Sequence, residues 1–157
     1  PVQTSDAVNV FYLGAEEKLK FGFFHWDNGI AYQTTSDQYI MPLPTFVFNS
    51  NVYLRTPPIF RKSLTLQVGA ELNYHTSFYA QKYNPATGML YVQREKEYGD
   101  YPFLNVYGQA QLKVLKMFMV WNHVNQKMGN NSNYMISPGY AMSPSFLRVG
   151  ISVTFDD

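Results

Sequence analysis

At 157 residues, with 46% apolar and 17% aromatic residues, the chain has material for one domain and a large buried or lipid-facing surface, which excludes intrinsic disorder. Lys and Arg number 12 against 11 acidic residues, with no block of like charge, so no net field draws the chain to nucleic acid. The lack of cysteine excludes a disulfide framework and thiolate metal sites, and the longest unbroken apolar run, residues 117–121, falls far short of the about 20 residues of a membrane-crossing helix.

The residue pattern predicts strands throughout. Residues 7–19 and 23–34 form the first two, joined by a tight turn at 20–22. The third, 45–56, sets Phe46, Phe48, Val52 and Leu54 on one parity and Asn49, Asn51 and Arg55 on the other. In the fourth, 63–79, Leu64, Leu66, Val68, Ala70, Leu72, Tyr74 and Phe78 alternate with Thr65, Gln67, Gly69, Glu71, Asn73, His75 and Ser77. On a helix those apolar side chains would scatter round the circumference, whereas on a strand they make one face. The fifth, 102–114, opposes Leu104, Val106, Ala110 and Leu112 to Asn105, Tyr107, Gln109 and Gln111. Residues 117–125 form the sixth, and in the seventh, 145–156, Leu147, Val149, Ile151, Val153 and Phe155 oppose Arg148, Gly150, Ser152 and Thr154. Several of these strands exceed the 5–6 residues usual in soluble sheets and reach the about 9–11 of a tilted membrane-spanning strand.

The connections alternate: short turns at 20–22, 57–58 and 115–116, long loops at 35–43, 80–100 and 126–144. Short turns on one rim and long loops on the other point to an all-β fold, an antiparallel transmembrane β-barrel with periplasmic short turns. On this reading Asn49, Asn51, Gln67, Glu71, Asn73, His75, Asn105, Gln109, Gln111 and Arg148 are the candidate pore-lining residues. Leu64, Leu66, Val68, Leu72, Leu104, Val106, Leu112, Val149, Ile151, Val153 and Phe155 are the candidate lipid-facing ones. Lys18, Lys20, Arg55, Arg61, Lys62, Lys113 and Lys116 gather near the short-turn rim, and Trp26, Tyr53, Tyr74, Tyr79, Phe103 and Trp121 are candidates for belts at the membrane interfaces. A single-chain bacterial barrel has an even strand number, so seven strands are expected to be the C-terminal part of one larger barrel domain. Earlier strands would precede Pro1, the C-terminus would be periplasmic, and residues 89–94 are where an eighth strand could hide.

Little in the sequence points to chemistry. His25 with Asp27, and Glu71 with His75, share strand faces, but a water-filled barrel needs such polar residues anyway, and three His without Cys mark no converging zinc ligands. No nucleophile elbow, phosphate loop or zinc-protease motif occurs, so neither catalysis nor a cofactor or metal is expected. Asn130-Asn131-Ser132 and Asn84-Pro85 read as turn chemistry, and the mixed charges at 94–97 as a solvated loop.

Several segments resemble the putative porin family of Bacteroidota outer membranes. They are Phe24-His25-Trp26-Asp27-Asn28, Leu43-Pro44, Leu66-Gln67-Val68-Gly69-Ala70, Tyr83-Asn84-Pro85-Ala86-Thr87-Gly88 with Tyr91-Val92-Gln93, His123-Val124-Asn125 with Gly129-Asn130-Asn131, Pro138-Gly139-Tyr140-Ala141-Met142, and the closing strand at 146–155. The likeness covers nearly the whole chain and matches the family's C-terminal end. It departs at Asn122, where the family leads one to expect a charged residue. The resemblance implies a large barrel in the outer membrane of a Gram-negative bacterium that passes small hydrophilic solutes by diffusion. Its expected partners are outer-membrane lipids and other outer-membrane subunits, with no nucleic acid. Two rival readings stay open: a plugged barrel serving as a subunit of a secretion or uptake complex, and a soluble lipocalin-like barrel with the apolar parity inside.

Overall fold

The computed structural model describes residues 7–60, 63–126 and 135–155. In chain order the strands are β1 (Val10–Phe21), β2 (Phe24–Thr35), β3 (Phe46–Arg55), β4 (Leu64–His75), β5 (Gln81–Asn84), β6 (Met89–Val92), β7 (Phe103–Leu112), β8 (Leu115–Asn122), β9 (Met135–Ser137), β10 (Tyr140–Ala141) and β11 (Phe146–Val153). Seven of them make one antiparallel meander in the order β1-β2-β3-β4-β7-β8-β11. The other four form two local hairpins, β5-β6 and β9-β10, within the long connections. The described residues contain no helix.

The seven expected strands are all present, with shifted ends. The first hairpin turns on Gly22, whose φ of 61° suits the first central position of a two-residue turn without Cβ strain, so β1 runs on to Phe21. The β7–β8 turn lies at Lys113 and Val114, not at 115–116, because Leu112 already pairs with Leu115. β4 ends at His75 and not at 79: beyond it Phe78 bridges Tyr98 inside the loop. β8 ends at Asn122 and not at 125, because His123 takes a φ of 54° that no strand accommodates. The 57–58 turn belongs to a wider connection in which Ile59 bridges Leu64. Residues 89–92 are a strand, but they pair with β5 at the loop rim and add no eighth strand to the meander. Asn130-Asn131-Ser132, Gly129, Arg61 and Lys62 lie outside the described residues.

The seven-stranded sheet is open: its order begins at β1 and ends at β11, and an odd meander makes these two edge strands run in the same direction. It is also staggered. The row of register partners Leu19, Trp26, Val52, Ala70, Val106, Trp121 and Leu147 starts two residues from the short-turn end of β1 and finishes one residue from the long-loop end of β11. The strands are thus inclined to both rims.

The buried apolar residues, Ala80, Tyr98 and Tyr101, lie in the β4–β7 loop and not between sheet layers. A polar knot holds the long-loop rim together. His123, fully buried, faces the Ser143 carbonyl through Nδ1 at 2.8 Å and the Tyr101 hydroxyl through Nε2 at 2.7 Å. A carbonyl only accepts, so Nδ1 donates to Ser143, while the Tyr101 hydroxyl sits between Nε2 and the Asn125 carbonyl, which is 3.3 Å from it. Asn125 donates to the Pro102 carbonyl at 2.6 Å and accepts from the Leu104 amide at 3.1 Å. Residues flanking β7, β8 and β11 are thereby tied to one another.

Candidate solute-facing wall

Directly opposed residues of an antiparallel pair share a face, so the register sorts every strand residue onto one of two sides. One side carries the row Lys18, Asp27, Asn51, Glu71, Asn105. Its neighbours on that side are Lys20, His25, Tyr53, Gly69, Tyr107, Val120, Arg148, and then Arg55, Gln67, Gln109, Phe118, Gly150. Asn49 opposite Asn73, Val47 opposite His75, and Gln111 opposite Lys116 complete it. All ten residues singled out as pore-lining therefore share one face.

The opposite face holds Leu64, Leu66, Val68, Leu72, Leu104, Val106, Leu112, Val149, Ile151 and Val153, while Phe155 lies two residues beyond the end of β11. Its aromatic residues form two bands. Phe11, Tyr32, Phe46, Tyr74 and Trp121 stand towards the long-loop rim, with the Phe11–Tyr32 and Tyr32–Phe46 centroids 6.3 and 5.2 Å apart. Phe21, Phe24 and Trp26 stand towards the short-turn rim, and aliphatic residues such as Ile30, Val52, Ala70 and Val106 fill the space between. Each Trp is anchored by its indole N–H, Trp26 on Ser50 Oγ and Trp121 on Ser145 Oγ, both at 2.9 Å. Tyr53 and Phe103, grouped with the belt residues from the sequence, stand on the polar face instead, because they share the parity of Asn51 and Asn105. Tyr79 lies outside the strands.

Exposure on the two faces is inverted relative to a soluble sheet. Along β8 the apolar-side Met117, Met119 and Trp121 are 44%, 52% and 54% exposed, whereas Phe118 and Val120 on the polar side are half-buried and Asn122 is buried. From β2 to β8 the polar side is thus the more sheltered one, while the edge strands β1 and β11 are exposed on both sides. A cavity of about 300 Å³ indents the polar side between Glu16, Lys18, Asp27, Asn49, Asn51, Glu71 and Asn73.

Hydrogen bonds run along this wall from strand to strand. Gln109 Nε2 donates to Gln67 Oε1 at 2.9 Å, Gln67 Nε2 to Tyr107 Oη at 3.1 Å, and Tyr107 Oη to Asn51 Oδ1 at 3.0 Å. Asn73 donates to Glu71 at 3.1 Å, and Asn105 Oδ1 accepts from the His123 amide at 3.1 Å. His25 stacks on Tyr53, with centroids 4.7 Å apart, and His75 Nδ1 lies 3.0 Å from the Thr76 carbonyl. The His25/Asp27 and Glu71/His75 pairs thus belong to this polar surface, and among the described residues no three His, Asp or Glu converge as metal ligands. Asn122 ends the wall beside the loop knot with its Nδ2 buried and unpartnered among the described residues.

The sequence alone did not place Glu16, Lys18, Tyr53 and Phe118 on this wall, whereas it already set Tyr107 beside Asn105 and Gln109 and read His25 and Asp27 as residues of a wet face. In β8 the polar-side positions hold Phe118 and Val120 between Met117, Met119 and Trp121, so parity is silent. In β1 adjacent Glu16 and Glu17 fall on opposite faces. The tight turn at Gly22 would have carried register back from β2, had that strand been aligned first.

These observations define an all-β protein built on an antiparallel meander with one polar and one apolar face. The chain belongs to the family described as "Putative porin", whose sequence model matches residues 1–157. No curated protein and no solved structure matches it.

Proposed function

We propose that this chain forms part of the wall of an outer-membrane β-barrel pore through which small hydrophilic solutes diffuse, with its polar face lining the lumen and its apolar face in lipid. The observation that carries the reading is the inverted exposure of the sheet. From β2 to β8 a largely apolar face, broken at Asn28 and Ser50, is left more open than the polar face, and water would not tolerate that arrangement in a soluble monomer. In a bilayer the same face is in its proper solvent, and the two aromatic bands sit where barrel proteins carry their girdles. The stagger of the register rows is the strand inclination that barrel closure requires. Family membership points the same way.

The open edges at β1 and β11 leave backbone groups that lipid cannot satisfy, so further strands close the barrel. Because β1 and β11 run in the same direction, antiparallel closure takes an odd number of added strands, and a second copy related by an axis along the membrane normal would meet this one in a parallel pair. The remaining strands come from the same polypeptide. The short-turn rim and the C-terminus are periplasmic, the host is a Gram-negative bacterium of the Bacteroidota, and the neighbours are outer-membrane lipids. The chain catalyses nothing and takes no cofactor.

The test is single-channel recording on the complete protein inserted in a planar bilayer, where stepwise ohmic conductance is expected. A folded, inserted protein with no conductance would overturn the open pore in favour of a plugged subunit of a larger complex.

A further inference from the structure

We propose, on the basis of the pore reading, that the wall between β4 and β11 is a binding track for neutral oligosaccharides. Sugar rings stack on Tyr107 and Phe118, and their hydroxyls bond to the flanking amides of Gln67, Gln109 and Asn51. The track starts from two glycines. Gly69 opposes Tyr107 and Gly150 opposes Phe118 as register partners on the polar face. A Cβ added to Gly69 would come within 2.8 Å of both Cζ and Oη of Tyr107. One added to Gly150 would collide with Cζ of Phe118 and lie 2.8 and 3.0 Å from its Cε1 and Cε2. The point at Gly150 meets Cζ first and both Cε atoms next, and the point at Gly69 lies equally near Cζ and Oη with no other ring atom closer, so each lies over the tip of the ring and not in its plane, with Cβ of Tyr53 at 2.6 Å flanking Gly69 on its other side. Both rings are therefore laid down on the bare glycine backbone of the next strand, where strand side chains ordinarily stand away from the sheet. Glycine weakens a strand and marks close approach, so its use under both rings leaves two aromatic faces turned towards the lumen.

The surroundings of these rings select the ligand. A cavity of about 290 Å³, lined by Tyr107, Gly108, Gln109, Lys116, Phe118 and Val120, lies alongside both rings. The chain of bonds from Gln109 through Gln67 and Tyr107 ends on Asn51, leaving the Gln109 carbonyl oxygen and the Asn51 amide nitrogen as an acceptor and a donor facing the same side. A pyranose has an apolar C–H face for a ring and hydroxyls at its margin that both donate and accept, which these amides match. A flat aromatic solute would stack but leave the amides unpaired, and a small ion would use neither ring. Lys116 is the one charged residue lining this cavity, while Arg148 and Arg55 stand beside the track on the same face.

The experiment is current block in planar bilayers with the complete protein, using maltohexaose as probe and a polyethylene glycol of equal hydrodynamic radius as control. Maltohexaose is expected to interrupt the current in a saturable manner and the glycol not to. Tyr107→Ala and Phe118→Ala should each weaken the block about fivefold or more, read as the fraction of each variant's own open-channel current, the loss of one stacking contact. Tyr107→Phe should keep most of it. Conductance without saturable block, or block unchanged in both alanine variants, would overturn the track while leaving the pore intact. Absence of conductance in the unmodified protein would remove the pore and the track together.

Discussion

Introducing arginine at Val106 or at Gln67 separates the two faces of the sheet by free energy. The two positions sit on neighbouring strands, β7 and β4, but on opposite sides. β4 has 12 residues, which at about 3.3 Å each and about 40° of tilt give roughly 30 Å of height, close to the hydrocarbon thickness. Val106 pairs with Ala70, midway between Leu64 and His75, so its side chain reads as midplane. If the sheet is the wall of a membrane barrel, as proposed, Val106→Arg should destabilise it by about 2–4 kcal/mol. Leu66 is two residues from the short-turn end of β4, about 5 Å of height, so Leu66→Arg should cost only about 0–1 kcal/mol. Gln67→Arg, facing water, should change stability by less than about 0.5 kcal/mol. Reversible denaturant unfolding in vesicles, followed by Trp fluorescence, measures all three. Equal destabilisation by Val106→Arg and Gln67→Arg would refute the assignment of faces, and a larger loss at Leu66 than at Val106 would refute the depths.

Three further outcomes are expected. His123→Ala removes the donor to Ser143 and the ring partner of the Tyr101 hydroxyl from a fully buried site, so stability should fall by about 2–4 kcal/mol. Loosening of the β4–β7 loop would then appear as faster tryptic cleavage at Lys82, Arg94 and Lys96, and unchanged cleavage would count against the knot. Lys113 holds a φ of 50° in the β7–β8 turn, so Lys113→Gly should raise stability by about 1 kcal/mol in the same unfolding assay. Asn122→Leu deletes a buried donor that has no partner among the described residues while keeping the branching at Cγ, and should raise the thermal midpoint, worth about 1 kcal/mol.

Strand residues were legible in proportion to the chemical contrast between their two faces. β4 alternates Leu, Val and Ala with Gln, Glu and Asn, so parity fixes both faces from the sequence, and the same holds for β3, β7 and β11. β8 lacks that contrast, and its start was misplaced by two residues because Leu115 and Lys116 resemble turn residues as much as strand ones. The polar residues Asn28 and Ser50 also break the apolar parity of β2 and β3, where Ser50 Oγ donates to Asn28 Oδ1 at 2.7 Å. The His123 knot could not be read at all. Its ring partners lie 22 residues before it in the β4–β7 connection and 20 residues after it in its own, and only the fold brings Tyr101 and Ser143 to one imidazole. The rings laid over Gly69 and Gly150 were hidden for the same reason: a glycine in a strand signals close approach without naming the side chain that fills it.

The stagger of the register also bears on how the wall would sense voltage. Lys20 and Arg148 belong to one row, yet Lys20 stands one residue from the short-turn end of β1 while Arg148 stands five residues inside β11. On a wall spanning the membrane the two cations then sit at different electrical distances. A blocking anion entering from the short-turn side would cross little of the applied field to reach Lys20, and a larger fraction to reach Arg148. A row that is level in hydrogen bonding thus becomes a graded scale in potential, so the slope of block against voltage would report which strand a permeating charge has reached.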